Sequence, residues 1–386
     1  YKRQGDTVKI TKATQFYAVR RKSNYYTVSY YLGNGSTNAA YQKLTQTVEE
    51  GTVVTFAKVP ARTGYVNQGW SSKKNSEKAT AKAKCTVNKN ITLYAVQKKA
   101  VQLTFHRCDG STWQKTTLAK GSSYSLPGVR DAEGYTFMGW STKPMQSVSP
   151  QYEAEEKITV NGNVDLYAVV FNRTTETDLT EDQLPQVDIY KYKQVIFVGD
   201  SRTEFMENVL TGMGESATKN VKFVCSAGKG LDWFTTTGWA QLYSIVQHDS
   251  NSILSKKTAV IFNFGVNDLS KSADYAEYYN WIAPQLKSKG CELYFMSVNP
   301  VNRLMLPNAG RADRSEAAVR SFNQYMKANL SSAYTYIDMY SYLKSTGYSF
   351  ASDHYGTGTV DDGLHYTTRT YKRIFAKCMD SLRVPA

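Results

Sequence analysis

The sequence predicts an α/β domain with a parallel sheet over residues 191–386, preceded by small β-rich repeat domains. Beyond Lys191, short apolar runs alternate with segments of helical length, which is typical of a parallel sheet covered by helices on both faces. Before residue 172, one pattern of glycine and aromatic residues occurs twice. With 386 residues and 41% hydrophobic content, the chain is long enough for two or more domains with ordinary cores.

The repeated pattern defines two units. The motif GY…GW begins at Gly64 and returns 70 residues later at Gly134, and LYAV at 93–96 returns at 166–169. Each unit opens with an alternating strand, at 27–32 and at 101–106, and a truncated copy ends in FYAV at 16–19. We therefore expect the end of a truncated β-rich repeat at 1–22 and complete repeats at 24–98 and 99–172. The aromatic residues of the motif are expected to pack in the cores of the repeats; they are Tyr65, Trp70, Tyr135 and Trp140. Sugar stacking is the alternative role for the two tryptophans.

The remaining chain divides into a connecting segment and the α/β domain. Residues 173–190 are polar and acidic and contain Pro185, which predicts a linker with a short helix that docks on the following domain. Strands are expected near 194–199, 221–225, 258–264, 292–297 and 334–338. Helices are expected near 202–211, 237–248, 273–288, 312–330 and 368–382.

The first of these strands ends in a candidate nucleophile. The apolar run VIFV at 195–198 predicts a buried strand, and Gly199 permits a tight exit toward Ser201. The carboxyl edge of a parallel sheet is where open α/β sheets carry out chemistry. Ser201 is therefore placed where a base can activate it.

A candidate base lies near the end of the chain, in DGLHY. Asp362 precedes His365 by three residues, so that its carboxylate can orient the imidazole and stabilise the imidazolium. His354 is the competing base, but it directly follows Asp353, and neighbouring side chains generally point apart. Asp361 is the weaker alternative to Asp362. His106 and His248 are expected to be structural.

Two further strand exits supply candidate oxyanion donors. The segment SAGKG follows the strand near 221–225, and the backbone N–H of Gly228 is favoured over that of Gly230 as a donor. The segment GVND follows the next strand, and the side-chain amide of Asn267 is a second donor. Asp268 is expected to brace this loop.

The ordered blocks GDS at 199–201, Gly228, GVND at 265–268 and DGLH at 362–365 resemble those of the SGNH/GDSL hydrolase family, over residues 191–386. The resemblance implies a flavodoxin-like three-layer α/β/α domain of five strands and a carboxylic ester hydrolase. It also implies a triad of Ser201, Asp362 and His365, with an oxyanion hole formed by Ser201, Gly228 and Asn267. No cofactor and no metal are expected.

The residue after the nucleophile departs from the family pattern. The family usually has an apolar residue there, whereas this chain has Arg202. The stretch 297–312 resembles the loop that shapes substrate access in the family. The residues proposed from these observations as candidate substrate contacts are Arg202, Asn299, Arg303 and His354.

The repeats resemble the internalin-type B repeat of bacterial surface proteins over about residues 24–172. That resemblance implies an extracellular or cell-surface protein in which the repeats space the enzyme from an anchor. No signal peptide is present at Tyr1, so if the protein is secreted we expect the given chain to be a mature or trimmed fragment. No apolar run approaches the roughly 20 residues of a membrane helix, so no transmembrane segment is expected.

The basic charge is concentrated in the first quarter of the chain. Residues 1–100 contain 18 Lys and Arg against 4 Asp and Glu, and residues 101–386 contain 29 of each kind. This asymmetry predicts either attachment to an anionic polymer such as that of a cell wall, or a solvated surface that keeps the protein soluble. Nucleic acid is not expected as a partner, because no recognised nucleic-acid motif accompanies the charge. The five cysteines are scattered without metal-ligand spacing.

A small acyl group on a carbohydrate is the preferred substrate, because no long apolar insertion that would form a lipid-binding lid is visible. A lipid or phospholipid esterase is the alternative, with an acyl groove at Leu304, Met305 and Leu306. A third hypothesis is a non-catalytic adhesion or carbohydrate-binding surface protein. Fold alone does not decide between these hypotheses.

Overall fold

The computed structural model describes residues 5–18, 22–188, 191–248, 257–351 and 361–382. The chain forms two compact units, one of residues 1–101 and 117–120 and the other of residues 102–116 and 121–386. The predicted fold class is confirmed, because a parallel α/β sheet follows a β-rich N-terminal part. The second repeat belongs to the same unit as the α/β domain.

The α/β domain is built on a five-stranded parallel sheet. Its strands in chain order are β12 (Tyr192–Gly199), β13 (Val221–Cys225), β14 (Lys257–Asn263), β15 (Cys291–Met296) and β16 (Tyr334–Ile337). All neighbouring strands are parallel, and the order across the sheet is β13-β12-β14-β15-β16. The direction in which successive strands are added therefore reverses between β12 and β14. In such sheets the crevice at the point of reversal, outside the carboxyl ends of the strands, is the usual ligand site.

Helices cover both faces of this sheet. They are α2 (Ser201–Met213), α3 (Leu231–Trp233) continued by a π-helical turn (Phe234–Gly238) into α4 (Trp239–His248), α5 (Ser272–Ser288), α6 (Glu316–Asn329), α7 (Met339–Thr346) and α8 (Thr368–Ser381). The buried apolar residues form one cluster on each side of the sheet. This is the three-layer arrangement that the family resemblance implied.

Helix boundaries differ from the sequence expectation where side chains cap the helices. Helix α6 begins at Glu316 instead of near 312, because the Ser315 hydroxyl accepts the N–H of Ala318. Helix α7 was not predicted from the sequence. It has only eight residues and is capped by the Asp338 carboxylate, which accepts the N–H of Ser341.

The second repeat is a small β structure. It contains the second half of β6 (Ile91–His106), β8 (Ser122–Ser125), β9 (Tyr135–Ser141), β10 (Lys157–Val160) and β11 (Val164–Asn172). Strand β11 pairs in parallel with β6 and antiparallel with β9, and β10 pairs with β8. Trp140 is fully buried and donates its indole N–H to the Pro127 carbonyl, which agrees with its expected core role. Tyr135 instead remains 43% exposed, so the expectation of core packing is wrong for this residue.

The first repeat forms the core of the other unit. Its strands are β1 (Tyr25–Tyr31), β2 (Gln46–Glu49), β3 (Thr52–Thr55), β4 (Tyr65–Ser71), β5 (Lys84–Val87) and the first half of β6, with a helical turn α1 (Ala39–Gln42) and the end of β7 (Thr112–Ala119). Trp70 lies in its core, whereas Tyr65 is 37% exposed beneath Arg62. The described residues 5–18, which include most of the truncated copy, contain no helix or strand.

The segment between the second repeat and β12 docks on the α/β domain, in two short 3₁₀ turns, Arg173–Thr175 and Glu181–Gln183. The Glu176 carboxylate is buried and accepts from the Ser349 and Thr370 hydroxyls and from the Arg373 guanidinium. A buried carboxylate with this many donors is held in one geometry. Residues 173–188 are therefore a packed connection and not a flexible spacer.

Among the described residues, no helix has the length and apolarity needed to cross a membrane. The same part of the chain has no cluster of potential metal ligands. All five cysteines are free, and the ones most deeply buried are Cys291 and Cys378.

Candidate active site

Ser201 is the first residue of helix α2, directly after the end of strand β12. A side chain at Gly199 would place its Cβ 2.9 Å from the Asn263 carbonyl oxygen, so this exit from the strand requires glycine. Asp200 caps the helix, with its carboxylate accepting the N–H of Arg202 at 3.0 Å. Burial raises the pKa of Asp200 to about 6. The tight exit at Gly199 and the helix cap by Asp200 together hold the hydroxyl of Ser201 at the carboxyl edge of the sheet.

The structure brings Ser201, His365 and Asp362 into one hydrogen-bonded line. His365 Nε2 lies 2.9 Å from Ser201 Oγ, and His365 Nδ1 lies 2.6 Å from Asp362 Oδ2. The other oxygen of Asp362 accepts the backbone N–H groups of Leu364 and His365. A carboxylate on Nδ1 sets the tautomer in which Nε2 accepts a proton from the serine.

The charges around His365 favour its neutral form. Burial is the main cause that lowers its pKa below the ordinary value, and the guanidinium groups of Arg202 and Arg311 lower it further, against the opposing effect of Asp362. Burial also opposes ionisation of Asp362, but the hydrogen bonds from His365 and from the backbone outweigh it and lower the pKa of this carboxyl. At neutral pH the pair is therefore an imidazole and a carboxylate.

Two backbone N–H groups beside Ser201 have no partner within the described residues. The N–H of Ser201 itself opens helix α2, where no intrahelical acceptor exists, and the Asp200 carboxylate is occupied by Arg202. Gly228 has φ of +70°, lines the same pocket, and its N–H makes no hydrogen bond in the described part of the chain. Gly230 instead lies at the start of helix α3 beside the Asp268 carboxylate and is absent from the wall of this pocket.

The Asn267 side chain is held in a fixed orientation. Its Oδ1 accepts from the Arg314 guanidinium at 2.8 Å, and one hydrogen of its Nδ2 is donated to the Lys229 carbonyl at 2.8 Å. The second Nδ2 hydrogen has no partner among the described residues, and Asn267 lines the same pocket as Ser201. Asp268 braces the loop as expected, because its carboxylate accepts the Leu231 N–H and the Tyr275 hydroxyl.

These groups line a pocket of about 250 Å³. Its wall consists of Ser201, Phe205, Ala227, Gly228, Asn267, Gly310, Arg311, Ala312, Arg314, Leu364 and His365. Sequence reasoning did not identify Arg311 and Arg314. They follow no motif, and only the folding of residues 306–314 over the sheet edge brings them beside Ser201.

The structure corrects three of the four expected substrate contacts. Arg202 is 2% exposed, and its guanidinium donates to the carbonyls of Leu364, Asn299 and Pro300, so it connects three chain segments beneath the pocket. The Asn299 side chain is buried away from the pocket wall. Arg303 pairs with Asp313 at 2.6 Å and lines a different cavity. His354 lies outside the described residues.

Four other residues named from the sequence also lie elsewhere. Asp361 pairs with Arg173 at 2.5 Å and makes no bond to His365 in the described structure. Met305 and Leu306 are buried in the domain, and Leu304 lines the cavity that contains Arg303. The acyl groove expected at Leu304, Met305 and Leu306 is therefore absent from the pocket of Ser201.

Comparison with known families identifies both parts of the chain. Residues 195–378 match the family of GDSL-like lipases and acylhydrolases, so this part is a GDSL-type hydrolase domain. Residues 26–96 and 102–169 each match the Listeria-Bacteroides repeat domain. The repeats are thus of the Listeria-Bacteroides kind and not specifically internalin-type B repeats.

Individual relatives are distant. A protein of Evansella cellulosilytica named "Putative Gly-rich membrane protein" is 26% identical over 166 residues, which cover 42% of this chain and 18% of that protein's length. Among solved structures, the acetyl xylan esterase AlAXEase is 12% identical, covering 49% of this chain and 100% of that chain, with a TM-score of 0.33. The catalytic domain of Streptococcus pneumoniae peptidoglycan O-acetyltransferase A is 16% identical, covering 50% and 92%, with a TM-score of 0.29.

Proposed function

We propose that the GDSL-type domain is a serine ester hydrolase that removes small acyl groups, acetyl above all, from a carbohydrate at the cell surface or outside the cell. The observation that carries the proposal is the hydrogen-bonded line Ser201–His365–Asp362 at the wall of a pocket with two unpartnered N–H groups. This arrangement contains a nucleophile, a base, an orienting carboxylate and an oxyanion site.

The geometry supports a two-step acyl transfer. Ser201 Oγ attacks the ester carbonyl carbon while its proton passes to His365 Nε2, and the carbonyl oxygen becomes the oxyanion. The N–H groups of Ser201 and Gly228 and the free Nδ2 hydrogen of Asn267 stabilise that charge. The bond to the alcohol oxygen then breaks, and His365 returns the proton to the leaving alcohol.

Water completes the cycle by the same groups. His365 takes a proton from the water as its oxygen attacks the acyl carbon, and the second tetrahedral intermediate collapses with release of the carboxylic acid. The proton on Nε2 returns to Ser201 Oγ. Asp362 stays ionised throughout and stabilises the imidazolium in both steps.

The small acyl group is supported by the pocket's size and lining. The cavity of about 250 Å³ is small, and Phe205 and Leu364 are the largest apolar side chains in its wall, beside Asn267 and two arginines. A cavity of this size leaves little room for a long acyl chain. A hydroxyl-rich alcohol fits the remaining polar and cationic lining better than a hydrocarbon does.

A chain-length series tests the proposal. The parent protein is assayed on p-nitrophenyl acetate, butyrate and octanoate, and then on acetylated polysaccharides with release of acetate as the readout. We expect kcat/KM to fall from acetate to octanoate. No hydrolysis of any ester by the folded protein would reject the enzyme and favour the adhesion or carbohydrate-binding hypothesis.

The lipid or phospholipid esterase is the second candidate. An open groove of about 610 Å³ begins at Phe205, which also lines the Ser201 pocket, and continues along Val209 and Met213. This surface would accept an acyl chain by apolar contact. A preference for octanoate over acetate would place this candidate first, and replacement of Val209 by Asp should then abolish that preference.

Asn267→Ala is expected to lower kcat by about 10²-fold or more, because one oxyanion donor is lost. KM should change little, since the donor acts chiefly on the transition state. Arg314→Met should reproduce part of the loss, because Arg314 holds the amide by its Oδ1. Asn280→Ala serves as the control, since that side chain bonds Asn329 and Ser331 outside the pocket. An unchanged kcat in Asn267→Ala would show that Asn267 does not stabilise the oxyanion.

The pH profile should report the lowered pKa of His365. Its imidazole must be neutral to accept the serine proton, so kcat/KM falls as the pH drops through its pKa in the folded protein. Because burial and two arginines lower that pKa, the acid limb should have its midpoint below the ordinary value of 6.5. Arg311→Gln removes one of the lowering charges and should move the limb to higher pH, whereas Arg303→Gln should leave it in place. A midpoint above 6.5 in the parent would contradict this assignment.

The location at the cell surface is supported by the repeats, because Listeria-Bacteroides repeats are typical of surface proteins. The basic first 100 residues are proposed to bind an anionic cell-wall polymer. Sedimentation of the full chain with isolated cell walls, at rising salt, tests the polymer partner. Binding that is lost between about 50 and 500 mM salt is expected of an electrostatic contact.

A further inference from the structure

The second repeat contacts the loop of Asp362 and His365 through an ion-paired arginine. Arg173 follows strand β11 of the repeat, and its guanidinium bonds Asp131 of the same repeat at 2.7 Å and Asp361 of the hydrolase domain at 2.5 Å. Its Nε also donates to the Thr136 hydroxyl at 2.9 Å. Asp361 directly precedes the carboxylate that holds His365, so the repeat is tied to the residue beside the triad.

A second connection reaches the same loop through Asn302. The Asn302 side chain donates to Asp131 at 2.8 Å and to the Val129 carbonyl at 3.1 Å, and its backbone N–H donates to the Gly363 carbonyl at 2.8 Å. Gly363 has φ of +65° and lies against residues 302–305 so closely that no side chain fits there. The turn between Asp362 and His365 is therefore pressed against a segment that the repeat holds.

A third connection runs through Arg130. Its guanidinium donates to the Leu304 carbonyl at 2.6 Å and to the Asn308 side chain at 2.8 Å. Asn308 in turn donates to the Asp361 carbonyl at 3.1 Å. Residues 129–131 of one repeat loop thus bind residues 302–308 directly, and they reach the loop of Asp361 and Asp362 through Arg173 and Asn308.

We propose that the second repeat is a built-in part of the catalytic unit, in which Asp131, Arg173 and Asn302 are positioning residues for Asp362 and His365. The catalytic unit accordingly begins at about residue 102 and not at 191. The repeat acts through the loop and does not touch the reacting atoms.

Because Asp131 is buried, its ion pair with Arg173 constrains the neighbouring loop, which an exposed ion pair at the surface would not do. Burial, together with repulsion from Asp361, raises the pKa of Asp131 to about 7, and Arg173 opposes this rise. Without Arg173 the pKa of Asp131 would rise further, so Asp131 would take up a proton, and the ion pairs that join the repeat to Asp361 would be lost. The loop that carries Asp361 and Asp362 would then no longer be held against the repeat.

The test uses the full-length chain with Arg173→Met. We expect kcat on p-nitrophenyl acetate to fall at least about tenfold with KM within about twofold, because a misplaced triad loses transition-state stabilisation without losing substrate binding. The rate at which a phosphonate inhibitor labels Ser201 should fall by the same factor. Arg173→Lys keeps the charge without the planar fork, so it should recover only part of the loss.

Glu155→Ala is the matched control. Glu155 lies in the same repeat and accepts the Ala317 N–H of the hydrolase domain at 3.1 Å, but it has no contact with residues 361–365. We expect this variant to lower the melting temperature while kcat stays within about twofold of the parent, assayed well below melting.

Two results would overturn the proposal. One is a folded Arg173→Met protein whose kcat and labelling rate stay within about twofold of the parent. The other is an equal loss of kcat in Glu155→Ala at an equal loss of melting temperature, which would mean that the interface supports stability alone. Asp131→Asn keeps the shape of the site without the charge and serves as the second variant if Arg173→Met does not fold.

An independent observation concerns the substrate, and it rests on the proposed function. The pocket wall contains Arg311 and Arg314 and, among its described residues, no Asp or Glu. Each guanidinium nitrogen of Arg314 donates to a partner, namely the carbonyls of Val266 and Ala312 and the side-chain oxygen of Asn267. Arg311 bonds Asp362 only through Nε, at 3.3 Å, and its two terminal nitrogens have no partner within the described residues.

The geometry points to Arg311 as the residue that binds an anionic group, a carboxylate or a phosphate, on the sugar that carries the ester. Its side chain is 35% exposed at the pocket wall, so the free end of the guanidinium can reach a bound ligand. Guanidinium groups bind such anions through paired N–H donors. Burial is the main cause that lowers the pKa of Arg314, and the neighbouring Arg202 and Arg311 lower it further, against the opposing effect of Asp200 and Asp362.

Three acetate esters separate the possibilities: those of a methyl glucuronoside, of the neutral methyl glucoside, and of a methyl glucoside phosphate. We expect the parent to prefer at least one anionic ester by about tenfold in kcat/KM, and Arg311→Gln to bring that ratio near one. The ratio of kcat/KM for the anionic ester to kcat/KM for the neutral ester is measured within one protein. A general loss of turnover in Arg311→Gln affects both values and therefore leaves the ratio unchanged. Arg303→Gln, in the same loop but paired with Asp313, should keep the ratio of the parent.

The preferred ester identifies the anion. Equal kcat/KM values for the charged and neutral esters in the parent would overturn the role of Arg311 while leaving the esterase in place. A preference that persists in Arg311→Gln would also overturn it. Failure of the parent to hydrolyse any of the three would instead reject the proposed function, and this inference with it.

Discussion

Ser201→Ala should lower kcat for p-nitrophenyl acetate by about 10⁴- to 10⁶-fold. The alanine removes the oxygen that lies 2.9 Å from His365 Nε2, so no acyl-enzyme can form. The remaining pocket still binds the ester, and its oxyanion donors keep a residual rate above that of water. Steady-state rates and the loss of labelling by a phosphonate measure the effect.

Ser226→Ala is the control for this substitution. Ser226 lies in the loop after β13, where its backbone N–H bonds the Gly199 carbonyl, and its side chain is absent from the pocket wall. It should retain the parent's rate within about twofold, as surface substitutions usually do. Retention of most of the activity in a folded Ser201→Ala protein would reject the serine mechanism.

Asp362→Asn is expected to lower kcat by about 10⁴-fold with little change in fold. An amide at this position can donate to Nδ1, which favours the tautomer that carries a proton on Nε2. That tautomer cannot accept the proton of Ser201. The loss should appear in kcat more than in KM, because the substrate does not contact Asp362 directly.

Asp361→Asn is the matched control, since the sequence offers two adjacent aspartates. Asp361 bonds Arg173 and not His365, so its loss should cost about tenfold, as the loss of Arg173 does, and far less than the loss of Asp362. A larger loss in Asp361→Asn than in Asp362→Asn would reverse the assignment. The comparison therefore separates the orienting carboxylate from its neighbour.

The fold of the α/β domain could be read from local pattern. The predicted strand near 221–225 has the same bounds in the structure, and the other four differ by only one or two residues, because buried parallel strands are continuous apolar runs. The unpredicted helix α7 is too short for a periodic signal. Trp70 and Trp140 were expected in the repeat cores and are found there, whereas the exposure of Tyr65 and Tyr135 depends on which face of the strand has a partner.

The sequence predicted those residues of the candidate site that directly follow the ends of strands. Ser201, Gly228 and Asn267 each come shortly after a parallel strand, and the carboxyl ends of such strands meet at one edge. Arg202 was misplaced because its sequence position, next to the nucleophile, says nothing of the three carbonyls that it binds. Those acceptors lie about 100 to 160 residues away in the chain.

The sequence by itself determined the candidate catalytic residues of this protein: a serine, an acid and a histidine in an order and spacing that a parallel sheet brings together, beside two copies of a β-rich repeat. Only the tertiary structure decided that the second repeat holds the acid loop through Asp131 and Arg173, and that Arg311 lines the pocket. The physical reason is the distance along the chain between the residues that determine each feature. Strand exits and turns are set by neighbouring residues, whereas ion pairs and pocket walls depend on side chains that meet only when distant segments pack.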